Sequence, residues 1–177
     1  VKRGYIMTTK SIAPMTKADF LELVTKNQGG TWVAGPEVAR ELGLHLSEEE
    51  LVHGWLVYEE KCGHDKQVLH RESHVVTDRH YLITSFSQRD ERLSYGGHKR
   101  TVAVESAPIG RLRAVSTNEF LNDDNGPVGG GFTLHFAGPV FSGSYGGSRD
   151  DLYFAKDRDW PSPEVQAFLS AIATVRR

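Results

Sequence analysis

From residue 67 to residue 155 the chain is written in short β-type segments separated by turn signals, and no other feature constrains its fold as strongly. Residues 68–76 form a run with β-branched ends, and Thr77-Asp78-Arg79 reads as a turn. Residues 80–86 alternate, with Tyr81, Ile83 and Ser85 on one face. A polar connection over 90–100 leads into the alternating valines of 101–105. Pro108 and Gly110 punctuate before a strand carrying Leu112, Ala114 and Val115. A Gly-rich loop over 122–131 precedes alternation at 132–136, and 152–155 is a last short strand. Alternation with period two puts apolar side chains on one face, and regular short strands of this kind fold as an antiparallel sandwich or barrel.

Helices flank the β region. Ser162 is placed to cap a helix with Pro163 in its first turn and Glu164 at the positive end of the dipole. Val165, Phe168, Leu169, Ile172 and Val175 then mark one apolar face, which must lie against the sheets. Near the other end, Thr16 caps a segment with Asp19 three residues on and Phe20, Leu21, Leu23 and Val24 at helical spacing, stopped by Gly29-Gly30. Pro36 opens a second short helix with the stripe Val38, Ala39 and Leu42, ended by Gly43. Residues 48–60 fit two patterns. Ser47 with Glu50 forms a capping box ahead of Leu51, Val52, Trp55 and Leu56, while Val52, Leu56 and Tyr58 equally share one face of a strand. The expected division is a disordered segment over 1–15, a helical extension over 16–46 and a β domain over 47–177.

Composition narrows the function classes. With 21 basic and 23 acidic residues among 177, the formal charge of −2 argues against a strongly basic nucleic-acid binder. Hydrophobic residues at 38% suffice for a core, which excludes a wholly disordered chain. A single cysteine, Cys62, excludes an internal disulfide and an all-cysteine zinc site. No apolar run approaches the ~20 residues of a membrane span, and no apolar segment follows Lys2 and Arg3 as in a secretory signal. A cytoplasmic protein is expected, with Met7 a natural initiator and residues 1–6 outside the native product.

The motifs in their order resemble the bacterial pleckstrin-homology-like domains. Val75-Val76-Thr77-Asp78-Arg79-His80-Tyr81-Leu82-Ile83 carries the resemblance, followed by 101–104 and Pro108-Ile109-Gly110-Arg111-Leu112-Arg113-Ala114-Val115. Phe132-Thr133-Leu134-His135-Phe136 and the single C-terminal helix complete it. It covers about residues 48–177 and leaves the two preceding helices outside. It implies a mainly β fold: two bent antiparallel sheets, as a sandwich or barrel, capped by the C-terminal helix. The family often has a basic residue and leucine after Thr-Asp-Arg, where this chain has His80-Tyr81.

Candidate chemistry is sparse. Cys62, His64, His70 and His74 have zinc-ligand chemistry in a spacing that matches no standard site, and His70 and His74 on one strand would lie ~13 Å apart. Exposed histidines in a polar hairpin are the expected reading. Residues 123–126 read as a turn rather than a calcium loop, since no glutamate stands at the twelfth position. Ser142 and Ser144 lack the surroundings of a nucleophile elbow, and the glycines at 129–131 and 146–147 lack a P-loop lysine. Asp78 is expected to satisfy turn amides, and Arg111 and Arg113 to alternate on a strand.

The basic residues Lys61, His64, Lys66, Arg71, His98, Lys99 and Arg100 border two connections and are the candidate partner-binding residues. In phosphoinositide-binding relatives a K-x(n)-R-x-R pattern holds the headgroup. Here Ser73 breaks it, and Glu59, Glu60 and Asp65 dilute the charge. Weak contact with an anionic lipid surface is all that remains of that mode. The expected function is a non-catalytic binding or scaffolding module that contacts another protein or peptide through loops or a sheet edge, with no cofactor and no metal. The alternatives are a DNA-binding regulator with a winged helix-turn-helix-like segment at 17–61, and a His-rich metal-binding protein. In the first, a recognition helix over 48–61 would set five glutamates against phosphate, which disfavours nucleic acid.

Overall fold

The computed structural model describes residues 3–5, 14–26, 32–62, 68–89, 100–142, 148–156 and 158–177, with the backbone alone at 3–5, 58–62, 68–69, 89 and 148–149. The elements run β1 (Arg3–Tyr5), β2 (Met15–Thr16), α1 (Lys17–Lys26), α2 (Gly35–His45), β3 (Leu51–Cys62), β4 (Val68–Thr77), β5 (His80–Arg89) and β6 (Arg100–Pro108). A 3-10 turn at Ile109–Arg111 leads to β7 (Leu112–Leu121), β8 (Pro127–Phe136), β9 (Phe141–Ser142), β10 (Ser148–Arg149), β11 (Asp151–Lys156) and α3 (Pro163–Val175). The protein is mainly β.

The larger sheet has the order β1-β3-β4-β5-β6, with β2 also paired to β3. A three-stranded sheet has the order β11-β8-β7, and β9 and β10 form a small separate pair. Every pairing is antiparallel. The main core lies between the two larger sheets and α3. Val76, Tyr81 and Ile83 meet Phe132, Leu134, Phe136, Leu152 and Phe154, with Val165, Phe168 and Ile172 from the helix. Phe132 and Phe154 stack at 4.4 Å, and Tyr81 sits edge-on to Phe136 at 5.3 Å.

The other face of the large sheet is also buried. Phe20 and Val24 of α1 and Val38 and Leu42 of α2 pack with Trp32 on Val57, Val75 and Leu82. The apolar stripe of 17–26 therefore docks on the sheet. Gly35 allows the two helices to meet, because a Cβ there would stand 2.3 Å from the Val24 carbonyl oxygen. Helix α1 starts as expected, with the Asp19 N–H donating to Thr16 Oγ1 at 3.2 Å. Helix α2 continues past Gly43 to His45.

Residues 48–60 resolve in favour of a strand, with β3 occupying 51–62. Half of the capping box still forms: Glu50 accepts from the Ser47 N–H at 3.0 Å and from the Ser47 hydroxyl at 3.4 Å, while the Glu50 N–H donates to the Ser47 carbonyl at 3.2 Å rather than to its hydroxyl. The chain continues from this cap as a strand because Glu50 is turned inward to Thr77 and His80 on the β4–β5 hairpin. The recognition helix of the DNA-binding alternative is thus a central strand. Gly54, a weak point in either sequence pattern, lies where α3 presses closest, since a Cβ there would come within 2.8 Å of Ala171 Cβ.

Two further expectations are corrected. Arg3–Tyr5 and Met15 belong to the larger sheet rather than to a disordered 1–15 segment, while 6–13 fall outside the described residues. The Gly-rich stretch before Phe132 is mostly strand, because β8 begins at Pro127. Its glycines make room for rings: a Cβ on Gly130 would overlap the Trp160 indole at 2.2 Å. The turn itself is shorter, with Asn122 Oδ1 accepting from the Asp124 and Gly126 N–H groups at 3.1 and 2.7 Å. Helix α3 keeps its expected start, Ser162 Oγ accepting from the Val165 N–H at 3.4 Å. No described helix is long and apolar enough to cross a membrane.

Candidate functional site

The strand register gathers the basic candidates at one end of the large sheet. Lys61, Leu69, Gln88 and Arg100 form one row across β3, β4, β5 and β6. The next row inward on the same phase is Glu59, Arg71, Phe86 and Val102. Connections 63–67 and 90–99 both leave from this end. They hold His64, Lys66, His98 and Lys99, which lie outside the described residues, as does the Gly29-Gly30 stop.

Beside these rows, a groove of about 270 Å³ opens between α2 and the β5–β6 hairpin. Ala34, Glu37, Arg40 and Glu41 form its helical wall, and Phe86, Arg100 and Val102 its sheet wall. Phe86 is buried, and the Arg100 guanidinium lies 5.5 Å from its ring centroid, a cation–π contact worth ~0.5–1 kcal/mol at an exposed site. Among the described residues no ion pair links Arg40 or Arg100 to Glu37 or Glu41. Arg100 thus stands in a built concavity. Arg71 does not: it is buried within β4 and carries no exposed charge to the loop. Sequence reading missed Glu37, Arg40 and Glu41. They flank the stripe Val38, Ala39 and Leu42, so the helical period would have placed them beside the buried face.

The histidines differ from expectation. His74 is not exposed in a hairpin; it is buried between the sheets, its Nδ1 2.9 Å from the Tyr81 hydroxyl and its ring 4.6 Å from Phe154. Glu72 lies between His70 and His74 at 3.7 and 3.4 Å. Among the described residues, no group of three or more His, Cys, Asp or Glu could hold a metal ion.

The Thr77-Asp78-Arg79 turn is structural, and its division of labour is unexpected. Thr77 Oγ1, rather than the Asp78 carboxylate, accepts from the Arg79 and His80 N–H groups at 3.1 and 2.7 Å. Asp78 instead accepts from the Leu51 N–H at 3.0 Å and ties the hairpin to the start of β3. Behind it, burial pushes the Glu50 carboxyl up, but the Thr77 hydroxyl, the Ser47 N–H and the His80 imidazole together hold it below the ordinary carboxylate range. Arg111 lies in the 3-10 turn rather than on a strand. The Arg113 carbonyl accepts from Arg176 Nη2 at 2.6 Å.

A second polar constellation spans the outer face of the three-stranded sheet. Ser116 on β7, His135 on β8 and Asp151 on β11 are joined side chain to side chain. The strand phases would have placed His135 and Asp151 outward, but their pairing depends on a register that no local pattern reveals.

Comparison with known proteins returns no matching family model, no matching curated sequence and no matching solved structure.

Proposed function

We propose that the protein is a binding module of pleckstrin-homology-like architecture whose groove between α2 and the β5–β6 hairpin engages another protein or peptide. The architectural part is supported by four long antiparallel strands, then three, then a helix that packs on β3 and the shared core. The observation that carries the functional part is the buried Phe86 ring beneath Arg100 with Arg40 across the groove. Arginine beside an aromatic floor is the composition that dominates binding energy at protein interfaces. Glu37 and Glu41 set carboxylates between the cations, which suits a partner of mixed charge and disfavours a uniformly anionic lipid or nucleic acid.

Affinity capture from native-host lysate tests this, with and without nuclease, using the wild-type chain and an Arg40→Glu/Arg100→Glu variant. Both arginines are exposed, so the variant should fold. The expected result is a stoichiometric protein that survives nuclease and is lost with the variant. Recovery of nucleic acid alone, or of the same protein undiminished by the variant, would overturn the proposal.

A further inference from the structure

The outer face of the three-stranded sheet carries an ordered hydrogen-bond relay. Asp151 and His135 are direct cross-strand partners, and Asp151 Oδ1 lies 2.9 Å from His135 Nδ1. Ser116 pairs across to Thr133 and reaches diagonally to His135, its Oγ 3.0 Å from Nε2. A carboxylate only accepts, so the proton of the neutral imidazole resides on Nδ1. Nε2 is then left as an acceptor, and the hydrogen between it and Ser116 must be the hydroxyl's. A solvent-face polar cluster needs no such order. This one aligns a hydroxyl, a base and an orienting carboxylate in the sequence that activates a serine.

We propose that Ser116 is an activated nucleophile that accepts acyl groups from small activated carboxylic esters. Ser116 Oγ adds to the ester carbonyl carbon as its proton passes to His135 Nε2, and the carbonyl π pair moves onto oxygen. Collapse re-forms the carbonyl and breaks the bond to the alcohol oxygen, which leaves with the proton from Nε2. Water then adds to the acyl-Ser116 ester by the same route and releases the free acid. His135 is the acid–base residue. Asp151 is a positioning residue that holds Nδ1–H and balances the imidazolium charge.

The surroundings set the substrate class. His135 and Asp151 side chains are 38% and 56% exposed, so the relay is open to solution. Ser116 lies on the edge strand β7 and His135 on the central strand β8, whose backbone N–H groups are taken up by the ladder, and the Thr133 hydroxyl opposite Ser116 is a donor placed by register for a developing oxyanion. Turnover is therefore slow, and small unhindered acyl groups on good leaving groups are preferred. The relay is on the other sheet from the α2 groove, so the two proposals stand or fall separately.

The test treats the full chain with a fluorophosphonate, mapping the adduct by mass spectrometry, and follows p-nitrophenol release from p-nitrophenyl acetate. A single adduct on Ser116 is expected, with loss of fluoride. Ser116→Ala should abolish it and reduce ester cleavage to the buffer rate. His135→Gln should slow both reactions about 100-fold. Asp151→Asn should slow them as well, by less than the ~10⁴-fold seen for a buried orienting carboxylate because Asp151 is half exposed, with Asp151→Glu recovering part of the loss. These side chains lie on an open face, and far-UV circular dichroism checks that each variant folds. No adduct on Ser116, an adduct only elsewhere, or His135→Gln labelling at the wild-type rate would overturn the proposal.

Discussion

The two principal sheets differ in what covers them. The larger one is buried on both faces, by the shared core on one side and by α1, α2 and Trp32 on the other. The three-stranded one is buried on its inner face alone. Their strands are written accordingly. Val75 and Val76, like Tyr81 and Leu82, are adjacent and all buried, as a doubly covered strand requires. In β8, by contrast, Phe132, Leu134 and Phe136 point inward while Thr133 and His135 are more exposed. A sheet with both faces occupied can bind only where its cover stops, at an end or edge. A sheet with a bare face can display side chains anywhere along it.

One residue type makes this contrast measurable. Thr84 lies on the helix-covered face in the row of Val57, Ser73 and Val104, whereas Thr133 lies on the bare face. Thr84→Lys should be the most damaging of the changes considered, since an uncompensated buried charge costs roughly 3–5 kcal/mol. Denaturant unfolding would show it, and a small effect would mean that the helical layer does not seal the sheet. Gly35→Ala tests the layer from its other side. Alanine favours a helix by about 1 kcal/mol, but the new methyl meets the Val24 carbonyl, so a net loss of roughly 2 kcal/mol is expected. Loss of amide-exchange protection should then concentrate in α1 and α2. Unchanged stability would show that the helices shift freely.

Glu50 tests the corner where the covering layer joins the sheet. Its carboxyl is held below the ordinary range in the folded state, so the unfolded chain binds its proton more readily. Its stabilisation is fully present above the unfolded-state value and is lost as pH falls through the lower folded-state value. Glu50→Gln should cost about 1–2 kcal/mol at neutral pH and flatten the acid side of the stability profile. An unaltered acid limb would remove Glu50 from that role. The smallest effect is expected from Thr133→Lys, within about 0.5 kcal/mol in the same unfolding assay, because the bare face has water to offer a charge.

The legibility of the sequence divides along the same line. Alternation in 132–136, and the cap and stripe of 162–175, located β8 and α3 because each has one buried side and a local terminator, whereas β5 is buried on both faces and was located by its β-type residues after the turn at 77–79. The 48–60 segment was ambiguous because β3 is covered on both faces, and a doubly buried strand loses its period. Glycines 129–131 suggested a loop because a ring lying on a strand leaves no trace in that strand's own pattern. At the groove, Arg100 was foreseeable as a basic residue beside a connection. Its neighbours on α2 were not, since the meeting of helix and hairpin is a tertiary event. The Ser116–His135–Asp151 relay depends on pairings between segments far apart in sequence, and no motif marks it.

The seat of α3 on Gly54 has a bearing on synthesis. Strand β3 emerges from the ribosome well before the helix that closes over it. During that interval Leu56, Val76 and Tyr81 have no permanent cover, although the hairpins that hold them can already pair. The nascent chain therefore presents a transient apolar furrow, which is the kind of surface that holding chaperones occupy. Arrival of Phe168, Ala171 and Ile172 seals that furrow, so the shared core closes only after α3 has followed the strands out of the ribosome.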